Sequence, residues 1–181
     1  DYNSNHEDAR IGVYLYDDYT ASHPDIRLLD GDLIVDASGR SAHGSTPEAG
    51  HNAITDLSEF LGDLDLEDSR ITYLLDFINS YVGRETDGRS LGIYRHHDFL
   101  GDTTVCLGQL DYLAGSEVAR AILNIRFPLG ITKEDVADII QEKVAEYSES
   151  TGASMYVQAD PHNLDPLYVC LLYTSDAADE G

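Results

Sequence analysis

The run "ARAILNIRFPLG", Ala119 to Gly130, constrains the fold of this chain more than any other stretch. In an extended segment, Leu123, Ile125 and Phe127 point one way, and Asn124 and Arg126 point the other. Such a strand needs a cover on its apolar side and leaves its polar side free for water or a ligand. Three helical patterns supply candidate covers. Ile54, Leu57, Phe60 and Leu61 share one face. Ser69 is placed to cap a second helix with Ile71, Leu74, Leu75, Ile78 and Val82 inward and Gly83 at its end. Thr132 and Asp135 form a capping-box pattern for a third, which uses Val136, Ile140, Val144 and Tyr147.

The remaining patterns are strands, with one exception. "GDTTVCLGQLDYL" reads as a strand, and "GASMYVQA" as a closing one. "DIRLLDGDLIVDA" reads as a hairpin whose Asp30-Gly31 pair suits a type I′ turn, because Gly accepts positive φ and Asp tolerates it. The exception is "EDARIGVYLYDDY", a helix pattern with Ala9, Val13 and Tyr16 on one face. Together these predict an α+β fold, a twisted and mostly antiparallel sheet with helices packed on one face.

The charge balance narrows the partners. Against 34 Asp+Glu stand 11 Lys+Arg, a formal net charge of −23. A surface of that sign repels phosphate backbones and anionic membranes, so neither nucleic acid nor membrane is expected as a partner. No apolar run approaches the roughly 20 residues of a membrane span. The two cysteines, Cys106 and Cys170, lie far apart and in no metal-type spacing. The opening "DYNSNHEDAR" carries neither an initiator Met nor a signal peptide. A cytoplasmic location and an N-terminally truncated chain are the expectations. "CLLYTSDAADE", Cys170 to Glu180, matches the translation of a transposase-type sequencing adapter, so residues 170–181 are expected to be a non-native tail.

Three chemistries compete for "GRSAHGSTPEAGHNAI", residues 39–54. A Ser-His-Asp hydrolase lacks its G-x-S-x-G elbow, since "GRSAH" puts His43 where the last Gly belongs. A metal site has one tight cluster to draw on, His96-His97-Asp98. Neighbouring strand residues face opposite ways, so an exposed polar loop is the better reading there. The third reading takes His43 at a strand-to-helix step, "DLIVDASGRSAH" being the strand and Thr46-Pro47-Glu48 the helix start. A helix N-terminus disfavours imidazolium, which leaves a neutral donor for a developing oxyanion; a purely structural turn histidine is the competing reading. Arg126, ahead of Pro128, has the planar fork that grips a carboxylate, against the plainer reading of a surface ion pair.

Taken together, "SAHGSTPEAGHNA", "LNIRFPLG" and "DPLYV" resemble the lid domain of bacterial di-zinc dipeptidases, the PepV-like and carnosinase-like enzymes of the aminoacylase/carboxypeptidase-G superfamily. The resemblance spans roughly residues 10 to 169 and keeps the motif order. It implies a ferredoxin-like lid or dimerisation-type domain over 1–169, closing on a dipeptide. It also implies two zinc ions in a catalytic domain absent from this chain, where they activate a water whose proton a carboxylate accepts. At the family's positions, His43 polarises the scissile carbonyl and Arg126 holds the substrate's C-terminal carboxylate. The PepV-like type implies a monomer, while other members of the superfamily dimerise through this domain, and the alternative is a dimerisation or ligand-binding module of a related amidohydrolase or deacylase. Cys106 stands where the family usually has Asn, and the fragment alone is expected to be inactive.

Overall fold

The structure is a computed structural model that describes residues 25–29, 32–64, 66, 69–113, 116 and 118–159. Strands β1 (Asp25–Leu29) and β2 (Asp32–Asp36) pair antiparallel with Leu29 opposite Asp32. The hairpin expected from the Asp30-Gly31 pair is there, and its two turn residues lie outside the described set. Helices α1 (Ala53–Gly62) and α2 (Arg70–Tyr81) follow. A short antiparallel pair, β3 (His96–His97) and β4 (Gly101–Asp102), leads into β5 (Thr104–Tyr112) and β6 (Ala119–Arg126), and α3 (Lys133–Thr151) closes the described order.

The β5–β6 ladder organises the larger core. It runs from Thr104 opposite Arg126 to Tyr112 opposite Ala119, with a bulge between Leu107 and Gln109. Val105 and Leu107 are buried on its inner face, joined by half-buried Leu123 and Ile125. α2 and α3 cover that face with Leu74, Phe77 and Ile78 from one and Val136, Ile140, Val144 and Tyr147 from the other. The Tyr147 hydroxyl donates its one proton to Asp76 Oδ2 at 2.7 Å and lies 3.1 Å from the Tyr73 carbonyl oxygen, so a buried aromatic anchors α3 to α2 through its polar tip. The one-sided pattern of "ILNIRF" thus has its cover, and the fold is α+β with helices on one face.

A second core forms where β2 meets α1. Val35 and Ala37 pack on Ala53, Leu57 and Leu61, and Leu75 of α2 joins them. α2 therefore serves both cores, with Leu74 in one and Leu75 in the other. Burying Leu57 and Leu75, each 2% exposed, contributes about 1.5–3 kcal/mol apiece. The predicted capping box of Thr132 with Asp135 is present, and the predicted cap at Ser69 is itself part of a box with Thr72.

Three expectations need correction. The strand does not reach His43; β2 ends at Asp36, and only a single bridge pairs Arg40 with His51 further on. Thr46-Pro47-Glu48 does not open α1: Pro47–Ala49 is a separate 3-10 turn, and α1 begins at Ala53. "GASMYVQA" alternates half-buried and exposed residues as a strand would, yet joins no ladder among the described residues. The sheet itself appears there as three two-stranded antiparallel ladders. The helix pattern around Ala9, the "DPLYV" motif and residues 170–181 lie outside the described residues.

Candidate functional site

A ten-residue loop, 41–50, carries His43. Its base is closed by two reciprocal backbone hydrogen bonds between Arg40 and His51, each 2.9 Å. The Arg40 guanidinium donates to the Ala49 carbonyl across the same base, also at 2.9 Å. Two glycines permit this closeness. A Cβ on Gly39 would sit 2.5 Å from the His51 carbonyl oxygen, and one on Gly50 would sit 2.8 Å from that of Arg40. Within the loop, Thr46 N–H donates to the His43 carbonyl at 2.8 Å, and Gly50 N–H to that of Pro47 at 3.0 Å.

His43 is exposed, and its ring is oriented from one side. Nδ1 lies 2.7 Å from Ser45 Oγ and accepts weakly from the Ser45 backbone N–H at 3.4 Å. In the tautomer in which Nδ1 accepts from the Ser45 hydroxyl, the neutral ring carries its proton on Nε2, which is then a donor. Among the described residues no carboxylate pairs with His43. The helix-dipole argument for a neutral imidazole loses its helix, because only a three-residue turn follows; the contact with Ser45 specifies the donor instead.

The loop is seated on the end of the β5–β6 ladder. Thr104 Oγ1 donates to the Gly44 carbonyl at 2.8 Å, and Thr104 stands opposite Arg126 in register. Gly44 lies against the Arg126 side chain: a Cβ built there would be 3.3 Å from both Nε and Nη2. The guanidinium thus lies close beside Gly44, the residue that follows His43. Arg126 itself is exposed on the polar side of β6, as the alternation predicts. Among the described residues it has no carboxylate partner, whereas Arg84, Arg89 and Arg120 all do.

Asn52 joins loop, helix and strand at once. Its Oδ1 accepts from Ile54 N–H at 3.0 Å and caps α1, while its Nδ2 donates to the Leu107 carbonyl at 2.7 Å beside the bulge. The same amide lies 3.8 Å from Cys106 Sγ, a half-buried thiol whose pKa is raised by burial, with the Asn52 contact opposing. The Cys106 departure from the family pattern therefore sits beside the motif's own asparagine.

His51 carries a further connection. Its Nε2 lies 2.6 Å from Asp56 Oδ2, and the other Asp56 oxygen lies 2.7 Å from Arg84 Nη2, an ion pair rather than an aligned hydrogen bond. Arg84 also forks onto Glu59 at 2.7 and 3.1 Å. The Asp56 side chain is only 2% exposed, and its two oxygens face the His51 imidazole and the Arg84 guanidinium.

The "HHD" cluster is separate from this site. His96 Nδ1 lies 2.6 Å from Asp102, which holds the His96 pKa above its ordinary value, with Asp98 3.4 Å from Nε2 adding to the effect. His97 instead accepts from the Phe99 and Leu100 backbone N–H groups at 3.2 and 3.4 Å. Among the described residues no group of three or more His, Cys, Asp or Glu side chains is placed to hold a metal ion.

Sequence reasoning singled out His43 and Arg126, and the structure brings their segments together through Gly44 and Thr104. It missed the orienting role of Ser45, the double duty of Asn52 and the Asp56 anchor. An N-cap pattern at Asn52 was the available signal; the other two depend on the loop's closure.

The fold and this site define an α+β domain that presents a histidine and an arginine from one end of an antiparallel ladder. Residues 30–151 match the peptidase dimerisation domain, and the chain belongs to that family. A Staphylococcus epidermidis protein named "Putative dipeptidase" is 31% identical over 116 residues, covering 64% of this chain and 24% of that protein. A Staphylococcus aureus protein bearing the same description is 30% identical over 124 residues, covering 68% of this chain and 26% of its own length. The chain thus spans about a quarter of the length of the curated relatives it matches. No helix among the described residues is long and apolar enough to cross a membrane.

Proposed function

We propose that this chain is the lid of a cytoplasmic, zinc-dependent dipeptidase, with residues 1–169 covering the substrate and 170–181 a non-native tail. His43 donates from Nε2–H to the oxygen of the scissile carbonyl as negative charge develops there. Arg126 forks onto the dipeptide's C-terminal carboxylate. The observation that carries this reading is the seat of the Arg126 guanidinium against Gly44, next to His43. A donor and a carboxylate clamp on adjoining segments suit a substrate whose peptide bond and terminal carboxylate are one residue apart. Two zinc ions, held by residues outside those described here, supply an activated water when bound. The lid's own contribution is to bind, orient and exclude solvent.

The test uses the full-length parent. His43→Ala should lower kcat on a dipeptide by on the order of 100- to 1000-fold, the usual effect of losing one oxyanion donor. An unchanged kcat would remove His43 from the chemistry.

A second reading, self-association through this domain, is favoured by the description of the matching family. Light scattering of the parent tests it: a stable dimer supports it, and a monomer at micromolar concentration sinks it.

A further inference from the structure

We infer that His51 and Asp56 form a positioning pair that sets where loop 41–50 holds His43; this rests on the proposed role of His43. His51 has two functions in the fold. Its backbone closes the loop through both hydrogen bonds to Arg40. Its side chain is tied to Asp56 Oδ2 at 2.6 Å. Asp56 lies in the first turn of α1, and its side chain is 2% exposed. Arg84, just after α2, holds its other oxygen, so the carboxylate is fixed from both sides. The loop's base is thereby referenced to the rigid helical layer rather than to solvent. The tip is referenced separately, by Thr104 to Gly44. With the tie of the neighbouring Asn52 to β5, these anchors on different elements define the loop's orientation, and removing the His51–Asp56 tie loosens its base. The direction of the His43 Nε2–H donor is what such loosening changes, and a donor misplaced by about 1 Å loses up to about 100-fold in rate.

The His51 side chain is 30% exposed. In the full-length parent, His51→Ala is expected to lower kcat between about 10- and 100-fold while KM moves less than about two-fold. His51→Gln, which keeps an N–H donor for Asp56, should recover most of the loss. The double variant His43→Ala/His51→Ala should be no slower than His43→Ala alone, because positioning has no value once the donor is gone. Hydrogen exchange by mass spectrometry gives a readout independent of activity. The Arg40 and His51 amides should exchange at least about ten-fold faster in His51→Ala, with the α1 amides unchanged. Additive losses in the double variant, or unchanged exchange at the loop base, would overturn the inference. If His43→Ala is itself silent, the proposed function fails, and the exchange experiment still decides whether the pair anchors the loop.

Discussion

Replacing Asn52 by Asp separates two accounts of the "GHNA" motif. As an N-cap alone, Asn and Asp are equivalent, and the exchange should be neutral. In the structure the side chain does more: Oδ1 caps α1 at 3.0 Å from Ile54 N, and Nδ2 donates to the Leu107 carbonyl at 2.7 Å. Asp keeps the cap and loses the donor. It also sets a carboxylate oxygen against a carbonyl oxygen in a half-buried place. Losing the bond costs about 1 kcal/mol, and leaving the acceptor unpaired against a charge brings the total to about 2–3 kcal/mol. Asn52→Ala loses the cap as well, about 1 kcal/mol, but adds no repulsion, so its total is about 2 kcal/mol. The expected order of stability is Asn above Ala, with Asp at or below Ala. Calorimetry or urea unfolding of the parent at neutral pH, following the transition of this domain, reads the order directly. Asp as stable as Asn would refute the tie to β5 and leave only the cap.

Other outcomes follow from single contacts. Gly39→Ala should disturb the Arg40–His51 closure, since its Cβ would meet the His51 carbonyl oxygen at 2.5 Å; a loss of about 1–3 kcal/mol in unfolding free energy is expected. Ser45→Ala should leave the His43 tautomer unbiased: nitrogen NMR of the neutral ring should show protonation on Nε2 in the native protein and a mixture in the variant. His96 should titrate above its ordinary 6.5, and Asp102→Asn should bring the midpoint down by NMR. Because the folded value is raised, the pair's contribution is fully present below about 6.5 and is lost as pH rises through the folded midpoint. A titration unaffected by Asp102→Asn would remove that carboxylate as the cause.

Much of the fold was legible because its signals are local. The apolar stripes of α1, α2 and α3, the cap at Ser69, the capping box at Thr132 and the one-sided strand ending at Arg126 all depend on neighbours within a few residues. The start of α1 was misjudged for a physical reason. Thr46-Pro47-Glu48 carries good helix-start chemistry, but the Arg40–His51 bridge turns the chain back, so the 3-10 turn stops at Ala49 and Asn52 caps the helix instead. "MYVQ" has a strand's alternation, but pairing needs a partner edge that its own residues cannot specify. The site divides the same way. His43 and Arg126 stood out by residue type and family motif, but their meeting at Gly44 joins residues 82 positions apart along the chain, which no local pattern encodes. Asp56 looked like one acid among 34, and only its burial between His51 and Arg84 distinguishes it.

The central claim is that the lid recognises a dipeptide's terminal carboxylate through Arg126. Comparing native parent with Arg126→Ala on a dipeptide and on its C-terminally amidated form tests it most directly. The prediction is a loss in kcat/KM of more than about ten-fold on the free acid, the loss of a charge-assisted bidentate contact, and little change on the amide. Equal losses on both substrates would contradict the clamp and return Arg126 to a structural role beside Gly44.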